Sequence, residues 1–343
     1  RKEVMILLKK TCSIVCATLF LAWGIVAANA SEMSREGVIL AVRENNPTLQ
    51  ASLKRLEAYY HTVRSAVAVQ RPSAGLRGAT SYNTDDAPNR RQGVYSLSAA
   101  ISHRFDVSGV YSAQEKQLLL QYNALAADHL ALINNTLATA ESLYWRSFIA
   151  RENSALQKEI LAQRREDLRI TEEKFRQQLI PRLDVVRAQA RVEEAESIVV
   201  QAESAYQDTL TQLATLAGGI AVTPRSETLL VPSLSVRAGV ESALGTRNDV
   251  RSAELSLERA RVLKTLAAKG MSPSVEGAIG YTILTDSPTQ QPDQNEILFS
   301  LNVSIPVYDG GKTKEDTEEK ARSIEAAERS LEARRLAVRE DVL

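Results

Sequence analysis

Two stretches of the chain decide its fold, because each alternates between apolar and polar residues. Residues 94–105 read VYSLSAAISHRF, and residues 297–307 read ILFSLNVSIPV. Alternation with a period of two indicates β-strands that have one apolar and one polar face. Strands of about ten residues are long enough to cross a bilayer when they are tilted. From this pattern alone, a membrane-facing sheet and a half-buried sheet in a soluble domain remain equally open.

A second pair of strand-like segments accompanies these stretches. Residues 76–82 precede the first stretch and residues 275–283 precede the second, each followed by a polar, proline-containing loop. If the strands face lipid, nine bulky side chains on their apolar faces are expected to contact it. They are Tyr95, Leu97, Ile101, Phe105, Tyr281, Ile297, Phe299, Leu301 and Val303.

The same order of features occurs twice along the chain. Three pairs of marker residues recur at a nearly constant spacing: Asn46 and Asn248 (248 − 46 = 202), Pro72 and Pro273 (273 − 72 = 201), and Gly109 and Gly311 (311 − 109 = 202). Each copy therefore consists of helix, strand, loop, strand and helix. A spacing this long indicates duplication of a half-molecule and not a short solenoid repeat.

Long helices are expected between the two copies. Residues 110–178 contain neither proline nor glycine. About 70 helical residues span about 100 Å at 1.5 Å per residue. The segment that follows carries a seam of apolar residues spaced by three and four, which predicts coiled-coil packing. The seam consists of Val185, Ala188, Val192, Ala195, Val199, Ala202, Tyr206, Leu210 and Leu213.

The turn between the two long helices is Gln178-Leu179-Ile180-Pro181-Arg182. Pro181 cannot continue the first helix but suits the start of the second. Leu179 and Ile180 are apolar residues at a solvent-facing tip, which favours a contact site for a partner. Packing of one of the two across the turn is an equally open alternative.

Residues 1–30 are predicted to be a secretory signal peptide and not part of the fold. A pair of lysines precedes an apolar run, and residues 28–30 read ANA, a cleavage signal. Cleavage there removes Cys12 and Cys16, which are the only cysteines of the chain. Disulfides and cysteine metal sites are therefore excluded for the mature protein.

The mature chain is expected to divide into two repeats. Residues 31–219 hold the first helix, two strands and the long helical hairpin, and residues 220–235, which contain two prolines, form a linker. Residues 236–343 hold the second repeat, which stops before its helical hairpin is complete. We therefore expect the chain to be a fragment of a longer protein.

Enzyme, metal and nucleic-acid functions find no support in the composition. The three histidines form no zinc-binding spacing, and there is no phosphate-binding loop, nucleophile elbow or dinucleotide fingerprint. We expect no catalytic residue, no cofactor and no metal site. Without residues 1–30 the chain carries 42 − 4 = 38 basic and 42 − 1 = 41 acidic groups. It therefore has no positive field for nucleic acid.

Four strands cannot close a barrel within one chain, since the smallest outer-membrane barrels have about eight strands. An open sheet edge in lipid leaves backbone groups unpaired, at a cost of several kcal/mol each. If the strands face lipid, several copies must share one barrel. The long helices would then project from it as a coiled-coil tube.

From about residue 34 onward, these elements resemble the TolC-like outer-membrane efflux protein family. The matching residues are Asn46-Pro47 after Ala41, Pro72 before a strand, Leu183-Asp184-Val185 with Ala188 after the turn, and residues 306–311, PVYDGG. Two features depart from the family pattern. The tip has Gln178 or Leu179 where a glycine is usual. Residues 102–109, SHRFDVSG, stand where proline and paired glycines are common.

The resemblance implies a mainly α fold with a small membrane β-sheet and an internal two-fold repeat. Long coiled-coil helical hairpins would form a periplasmic tunnel, and each chain of a homotrimer would give four strands to a twelve-stranded β-barrel. The implied function is an outer-membrane channel of a Gram-negative bacterium, in a tripartite efflux or type I secretion system. The implied partners are a periplasmic adaptor (membrane fusion protein), an inner-membrane transporter and outer-membrane lipid. A non-conducting periplasmic coiled-coil scaffold is the alternative.

The resemblance also implies roles for the tip of the helical hairpin. Residues 178–182 would dock the adaptor, and Asp184 would lie near the constriction and help hold the periplasmic mouth closed. The competing explanation is that Asp184 favours the helix N-terminus through its charge, an effect of about 0.3–1 kcal/mol. Both explanations remain open from the sequence.

Overall fold

The computed structural model describes residues 31–82, 93–225, 242–285 and 294–342. The helices are α1 (Arg35–Asn45), α2 (Pro47–Ala68), α3 (Val110–Arg176), α4 (Arg182–Leu216), α5 (Asn248–Ala268) and α6 (Lys312–Val342). The strands are β1 (Ser31–Met33), β2 (Ser73–Tyr82), β3 (Gly93–Phe105), β4 (Val222–Pro224), β5 (Ser274–Thr285) and β6 (Gln294–Ser304). The predicted signal peptide, loop residues 83–92 and 286–293, and linker residues 226–235 lie outside the described residues.

The chain forms two compact units. Among the described residues, one unit comprises residues 31–50 and 133–225, and the other comprises residues 51–82, 93–132, 242–285 and 294–342. Most of the described residues are helical, so the predicted mainly α fold with a small sheet is confirmed. None of the described helices combines the length and the apolar character needed to cross a membrane.

In the first unit, a core forms where α1, α3 and α4 meet β4. Val38 and Val42 of α1 are buried together with Tyr144 of α3 and Leu213 of α4. β1 pairs in parallel with β4 beside this core. The first part of the predicted linker therefore takes part in regular structure.

The predicted apolar seam of α4 faces α3 within the first unit. Leu161 of α3 is buried against Val192 and Ala195 of α4, with Leu168 and Val199 packed around them. Every residue of the predicted seam is buried or half-buried, whereas the residues between them are mainly exposed. Spacing by three and four brings one stripe of a helix to its neighbour, and the predicted helix packing is confirmed.

In the second unit, the four long strands form one antiparallel sheet in the order β2-β3-β5-β6. β2 pairs with β3 and β5 pairs with β6, so each repeat contributes one hairpin. The pairing of β3 with β5 joins the two hairpins. Within the described chain, β2 and β6 are therefore the edge strands of this sheet.

β6 ends earlier than its alternating pattern predicted. Residues 305–307 continue the alternation, but the strand ends at Ser304. Ser304 is paired with Ser274, which is the first residue of β5. The ladder ends because the residues beyond Ser304 have no further β5 residue to pair with.

The helices of the second unit pack α5 against α6. Val250 and Leu257 of α5 are buried with Leu331 and Val338 of α6. Each of these pairs is spaced by seven residues (257 − 250 = 7 and 338 − 331 = 7), which places its two members on one helix face. α5 and α6 flank the second hairpin of the sheet in the sequence, as the duplicated order of elements predicts.

Candidate functional sites: the hairpin tip and the two-faced sheet

The turn that joins α3 to α4 is closed by two backbone hydrogen bonds. The Gln178 N–H donates to the Phe175 carbonyl oxygen at 2.8 Å, and the Leu179 N–H donates to the Lys174 carbonyl oxygen at 3.0 Å. This pair of bonds is the Schellman arrangement, in which the residue after the helix end has a left-handed backbone. Gln178 takes that position with φ of 61°, the one positive φ of a non-glycine residue among those described. The tip thus adopts a glycine-type turn without a glycine.

Pro181 precedes α4, as the sequence predicted. Its backbone is extended, with φ of −74° and ψ of 154°, and no side chain accepts a hydrogen bond at this cap position. Its carbonyl oxygen accepts from the Asp184 N–H at 3.1 Å. Arg182 is the first helical residue and is exposed. The start of α4 is therefore accessible on the hairpin tip.

Apolar side chains are exposed at the tip. Leu179 is 68% exposed, whereas Ile180 is half-buried and so is partly covered within the turn. Leu183 and Val186, on the first turns of α4, are also exposed. Residues three apart share one face of a helix, so Leu183 and Val186 extend the apolar tip. The sequence analysis did not predict Leu183 and Val186 as tip residues. The available signal was that neither residue belongs to the apolar seam of α4.

Asp184 lines a basic cleft between α3 and α4. The cleft has a volume of about 360 Å³. Its charged lining residues are Arg164, Asp167, Lys174, Asp184, Arg187 and Arg191. The Asp184 carboxylate lies 3.8 Å from the Arg187 guanidinium, one turn along α4. An exposed pair of this kind contributes at most about 1 kcal/mol, so the geometry is compatible with both roles predicted for Asp184.

The nine predicted lipid-facing side chains lie on one face of the sheet. Ile279 of β5 is opposite Ile101 of β3 on one side and opposite Phe299 of β6 on the other. All nine are exposed in the single chain, from 38% for Tyr95 to 73% for Phe299. A contiguous exposed apolar surface of this kind marks a face that a membrane or another molecule covers.

The opposite face of the sheet carries hydroxyl and charged groups. The Oγ atoms of Ser73 and Ser102 lie 3.0 Å apart across β2 and β3. The Arg104 Nε–H donates to a Glu276 carboxylate oxygen at 3.2 Å across β3 and β5. The sheet therefore separates an apolar from a polar surface, as the predicted alternation requires.

An aspartate holds the start of α3 directly after the sheet. Asp106 accepts hydrogen bonds from the N–H groups of Tyr111 and Ser112 at 3.1 and 2.9 Å. Burial acts to raise the pKa of the Asp106 carboxyl, but the hydrogen bonds from Ser112 and Tyr111 outweigh burial and hold the pKa below its usual value. Because carboxylates are favourable at helix N-termini, this contact stabilises the start of α3 directly after β3.

Asp309 has the same role at the start of α6. It accepts from the N–H groups of Gly311 and Thr313 at 3.0 and 2.7 Å. Hydrogen bonds from Thr313 hold the pKa of this carboxyl below its usual value. Neither aspartate was predicted as a functional position; the available signal was an aspartate between strand and helix in both repeats.

The histidines form no shared site. His129 Nδ1 lies 3.0 Å from Ser52 Oγ, and the His103 ring meets the Phe105 ring edge to face at 4.7 Å. No group of three or more His, Cys, Asp or Glu side chains suited to a metal ion occurs in the described ranges of the chain.

Comparison with known proteins identifies a family. The sequence profile of the family described as "Outer membrane efflux protein" matches residues 38–219 and 239–343. Protein CyaE of Bordetella pertussis is 23% identical over 308 residues, which cover 85% of this chain and 64% of CyaE. The chain therefore spans less than two thirds of the length of this relative.

Solved structures of outer-membrane proteins share the fold. The outer membrane channel CmeC of Campylobacter jejuni superposes with a TM-score of 0.79 at 16% identity, over 88% of this chain and 68% of CmeC. The outer membrane protein VceC of Vibrio cholerae gives a TM-score of 0.75 at 16% identity, over 88% of this chain and 75% of VceC. The protein lies in the outer membrane of Gram-negative bacteria, with a long periplasmic helical portion. Since the family profile matches most of the chain, the protein belongs to the outer membrane efflux protein family.

Proposed function

We propose that this protein is the outer-membrane channel component of a tripartite efflux or type I secretion system. In this role it passes substrate from a periplasmic adaptor and an inner-membrane transporter to the exterior. The observation that carries the proposal is the two-faced sheet, with an exposed apolar surface on one side and serine and charged groups on the other. Lipid would cover the first face and water the second. We assign no catalytic, cofactor or metal role to any residue.

We propose a homotrimer because the sheet of one chain leaves two strands half-paired. β2 and β6 each have one side without a partner strand in the described chain. In lipid, every unpaired backbone group at such an edge costs several kcal/mol. Three copies of four strands give twelve, a number that closes an outer-membrane barrel, and cyclic symmetry gives every copy the same contacts.

We propose that the tip of the α3–α4 hairpin docks the periplasmic adaptor. The exposed side chains of Leu179, Leu183 and Val186 supply the apolar area that a contact surface needs. The basic cleft beside them supplies several arginines, a residue type that is enriched at interfaces. Asp184 lines this cleft, so a partner that binds the tip would also reach the proposed gating residue.

The test of the channel is the conductance of the full-length protein in planar bilayers. We expect discrete channels from the unaltered protein. Leu97→Lys should greatly reduce channel insertion, because lysine on the lipid face costs about 2–4 kcal/mol near the bilayer midplane. Ser98→Lys is the matched control, since the neighbouring residue lies on the opposite face of the same strand. It should leave insertion intact and shift ion selectivity towards anions.

Two outcomes would contradict the proposal. If Ser98→Lys blocks insertion and Leu97→Lys does not, the faces of the sheet are assigned the wrong way round. If the protein is a soluble periplasmic species that gives no conductance, the non-conducting coiled-coil scaffold is the better description. Heat-modifiable trimers in outer-membrane extracts are the result expected for the channel.

A further inference from the structure

A small cavity between the end of α2 and the start of β2 is lined by basic and hydroxyl side chains. Its volume is about 230 Å³. Its lining residues are Ala68, Val69, Arg71, Ser73, Ser102 and Arg104. Among the described residues, no acidic side chain lines this cavity. The polar part of the lining therefore consists of two guanidinium groups and two hydroxyl groups, on the polar face of the sheet.

The strand register brings the two arginines of the cavity together. Ser73 is opposite Ser102, so the same register continued by two residues places position 71 beside Arg104. Alternate residues of a strand share one face, and both arginines line the same cavity. Like charges at directly opposite positions of neighbouring strands repel one another. An anion held between the two guanidinium groups would remove this repulsion.

A carboxylate compensates one of these two charges. The Arg104 Nε–H donates to a Glu276 carboxylate oxygen at 3.2 Å. Glu276 belongs to β5, which lies on the side of β3 away from β2. Arg71 is exposed and forms no ion pair with any residue in the described ranges. Two arginines and one glutamate thus leave one positive charge in excess at the cavity.

The end of α2 opposes this excess charge only in part. A helix C-terminus carries a partial negative charge of about half an elementary charge. Several of the last carbonyl oxygens of α2 already accept backbone hydrogen bonds, among them that of Ala68, which accepts from the Arg71 N–H at 3.0 Å. The full charge of the Arg71 side chain exceeds the partial charge of the helix end. The cavity therefore remains positive.

The two serines add hydrogen-bond donors to the same cavity. Their Oγ atoms lie 3.0 Å apart, so one hydroxyl donates to the other and the second hydroxyl hydrogen can donate to a ligand. Each guanidinium carries five N–H donors in a planar fork that matches the oxygens of a carboxylate or a phosphate. A set of N–H and O–H donors around one cavity favours an anion with several acceptor oxygens.

We propose that the cavity between Arg71, Arg104 and the hydroxyls of Ser73 and Ser102 binds a water-soluble oxyanion, namely a carboxylate, phosphate or sulfate group. The anion comes from solution and not from a lipid headgroup, because the cavity lies on the face of the sheet opposite the exposed apolar side chains. Binding of the anion does not depend on the proposed function. The effect of the site on exported solutes rests on the proposed function.

In the proposed channel, the site would act on the molecules that pass. Three symmetry-related copies would place three such cavities around one passage. A solute with an oxyanion group would bind there briefly, whereas a cationic solute would be repelled. Conduction requires binding that is weak enough for release, and an exposed cavity with one excess charge meets this requirement.

The test is modification of the arginines with phenylglyoxal in the purified full-length protein in detergent. Inorganic phosphate is the probe, and chloride at the same ionic strength is the reference. Bound phosphate should slow the modification of Arg71 by a factor of 1 + [phosphate]/Kd, about ten-fold at nine times Kd. Arg77 is the internal control, because it is exposed on the same face of β2 but does not line the cavity. Peptide mass spectrometry measures both rates, and Arg77 should react equally fast with either anion.

Substitutions distinguish a built site from a general effect of charge. Arg104→Gln should abolish the protection of Arg71 by phosphate, because the second guanidinium is lost. Arg77→Gln removes the same charge from the same face and should leave the protection intact. If Arg104→Gln unfolds because Glu276 loses its partner, Ser102→Ala takes its place. Ser102→Ala keeps every charge and should raise the phosphate concentration needed for the same protection several-fold, since one hydroxyl donor is lost.

Three outcomes would overturn the proposal. Absence of protection of Arg71 would show that no anion occupies the cavity. Equal protection of Arg71 and Arg77 would show that phosphate acts on the whole polar face and not at one site. Protection by phosphatidylglycerol in mixed micelles, without protection by inorganic phosphate, would assign the chemistry to a lipid headgroup.

Conductance of the same protein in planar bilayers separates this inference from the proposed function. Channels that conduct, without protection of Arg71, would remove the anion site and leave the channel. Protection of Arg71 in a protein that gives no conductance would support the anion site and count against the channel.

Discussion

Asn46 joins two helix ends, because its Nδ2–H donates to the Leu216 carbonyl oxygen at 2.8 Å. Its Oδ1 accepts from the N–H groups of Thr48 and Leu49 at the start of α2. The side chain is buried, so water cannot replace either contact. One amide therefore caps α2 and satisfies a terminal carbonyl of α4. Asparagine suits the position before Pro47 because its side chain supplies both a donor and an acceptor.

Substitution of Asn46 separates its two contacts. Asn46→Asp keeps the acceptor but replaces the donor with a carboxylate oxygen that faces the Leu216 carbonyl oxygen, and should lower the free energy of unfolding by at least about 1–3 kcal/mol because a buried carbonyl loses its partner. Asn46→Ala should also lower it, by at least about 1 kcal/mol, since the helix cap is lost. Thermal unfolding of the purified full-length protein measures both. Asn45→Ala, which removes an exposed amide bonded to the Ala41 carbonyl, is the control. Unaltered stability of Asn46→Asp would show that the link to Leu216 contributes nothing.

The two glycines after α4 are expected to differ in tolerance to substitution. Gly218 and Gly219 have φ of 73° and 93°. A Cβ at Gly218 would lie 2.3 Å from the Asn45 carbonyl oxygen, whereas one at Gly219 meets nothing within 4 Å. Gly219→Ala should cost about 1–2 kcal/mol, the strain of a left-handed alanine. Gly218→Ala should cost clearly more, because the end of α1 must also move. Equal losses of thermal stability in the two variants would contradict this close approach.

Charged substitutions at the apolar tip are expected to leave assembly of the channel intact but to abolish export. Leu179→Glu combined with Ile180→Glu should abolish export, because a docking partner would then have to bury carboxylates. The variant should still reach the outer membrane as a trimer. Gln177→Glu adds a charge to an exposed polar residue of the same turn and should leave export unchanged. Normal export by the double variant would disprove the docking role of the tip.

The cap at Asp309 is expected to make stability sensitive to acid. The pKa of this carboxyl is held below its usual value by hydrogen bonds from Thr313 and from the Gly311 N–H. Because the folded pKa lies below the unfolded value of about 4, the carboxylate stabilises the fold above that pH, and the contribution is lost as pH falls through the folded pKa. Asp309→Asn should therefore weaken the decline of melting temperature below about pH 4. Asp208→Asn, on the exposed surface of α4, should not; identical pH profiles for all three proteins would contradict the prediction.

The sequence predicted those elements whose signal is periodic. The β3 and β6 alternation and the α4 seam were recognisable because burial repeats along each element with the period of its backbone. The left-handed backbone of Gln178 was not predicted. The available signal was the glycine that is usual at this point of the tip, but a non-glycine residue takes this conformation only when neighbouring hydrogen bonds require it. The contact of Asn46 with Leu216 was also hidden, because it joins residues far apart in the chain and depends on how two helix ends meet.

Asp184 is the residue for which gating and helix stabilisation make opposite predictions. If it restrains the periplasmic mouth, three symmetry-related copies act on one opening, and small contributions of about 0–1 kcal/mol each can shift a gate whose states differ by a few kcal/mol. Asp184→Asn should then raise single-channel conductance in planar bilayers without lowering trimer stability. Arg187→Gln removes the partner that lies 3.8 Å away on α4 and should leave conductance unchanged, because that pair lies within one helix. Unchanged conductance of Asp184→Asn together with a lower melting temperature would leave only the favourable charge at the start of α4.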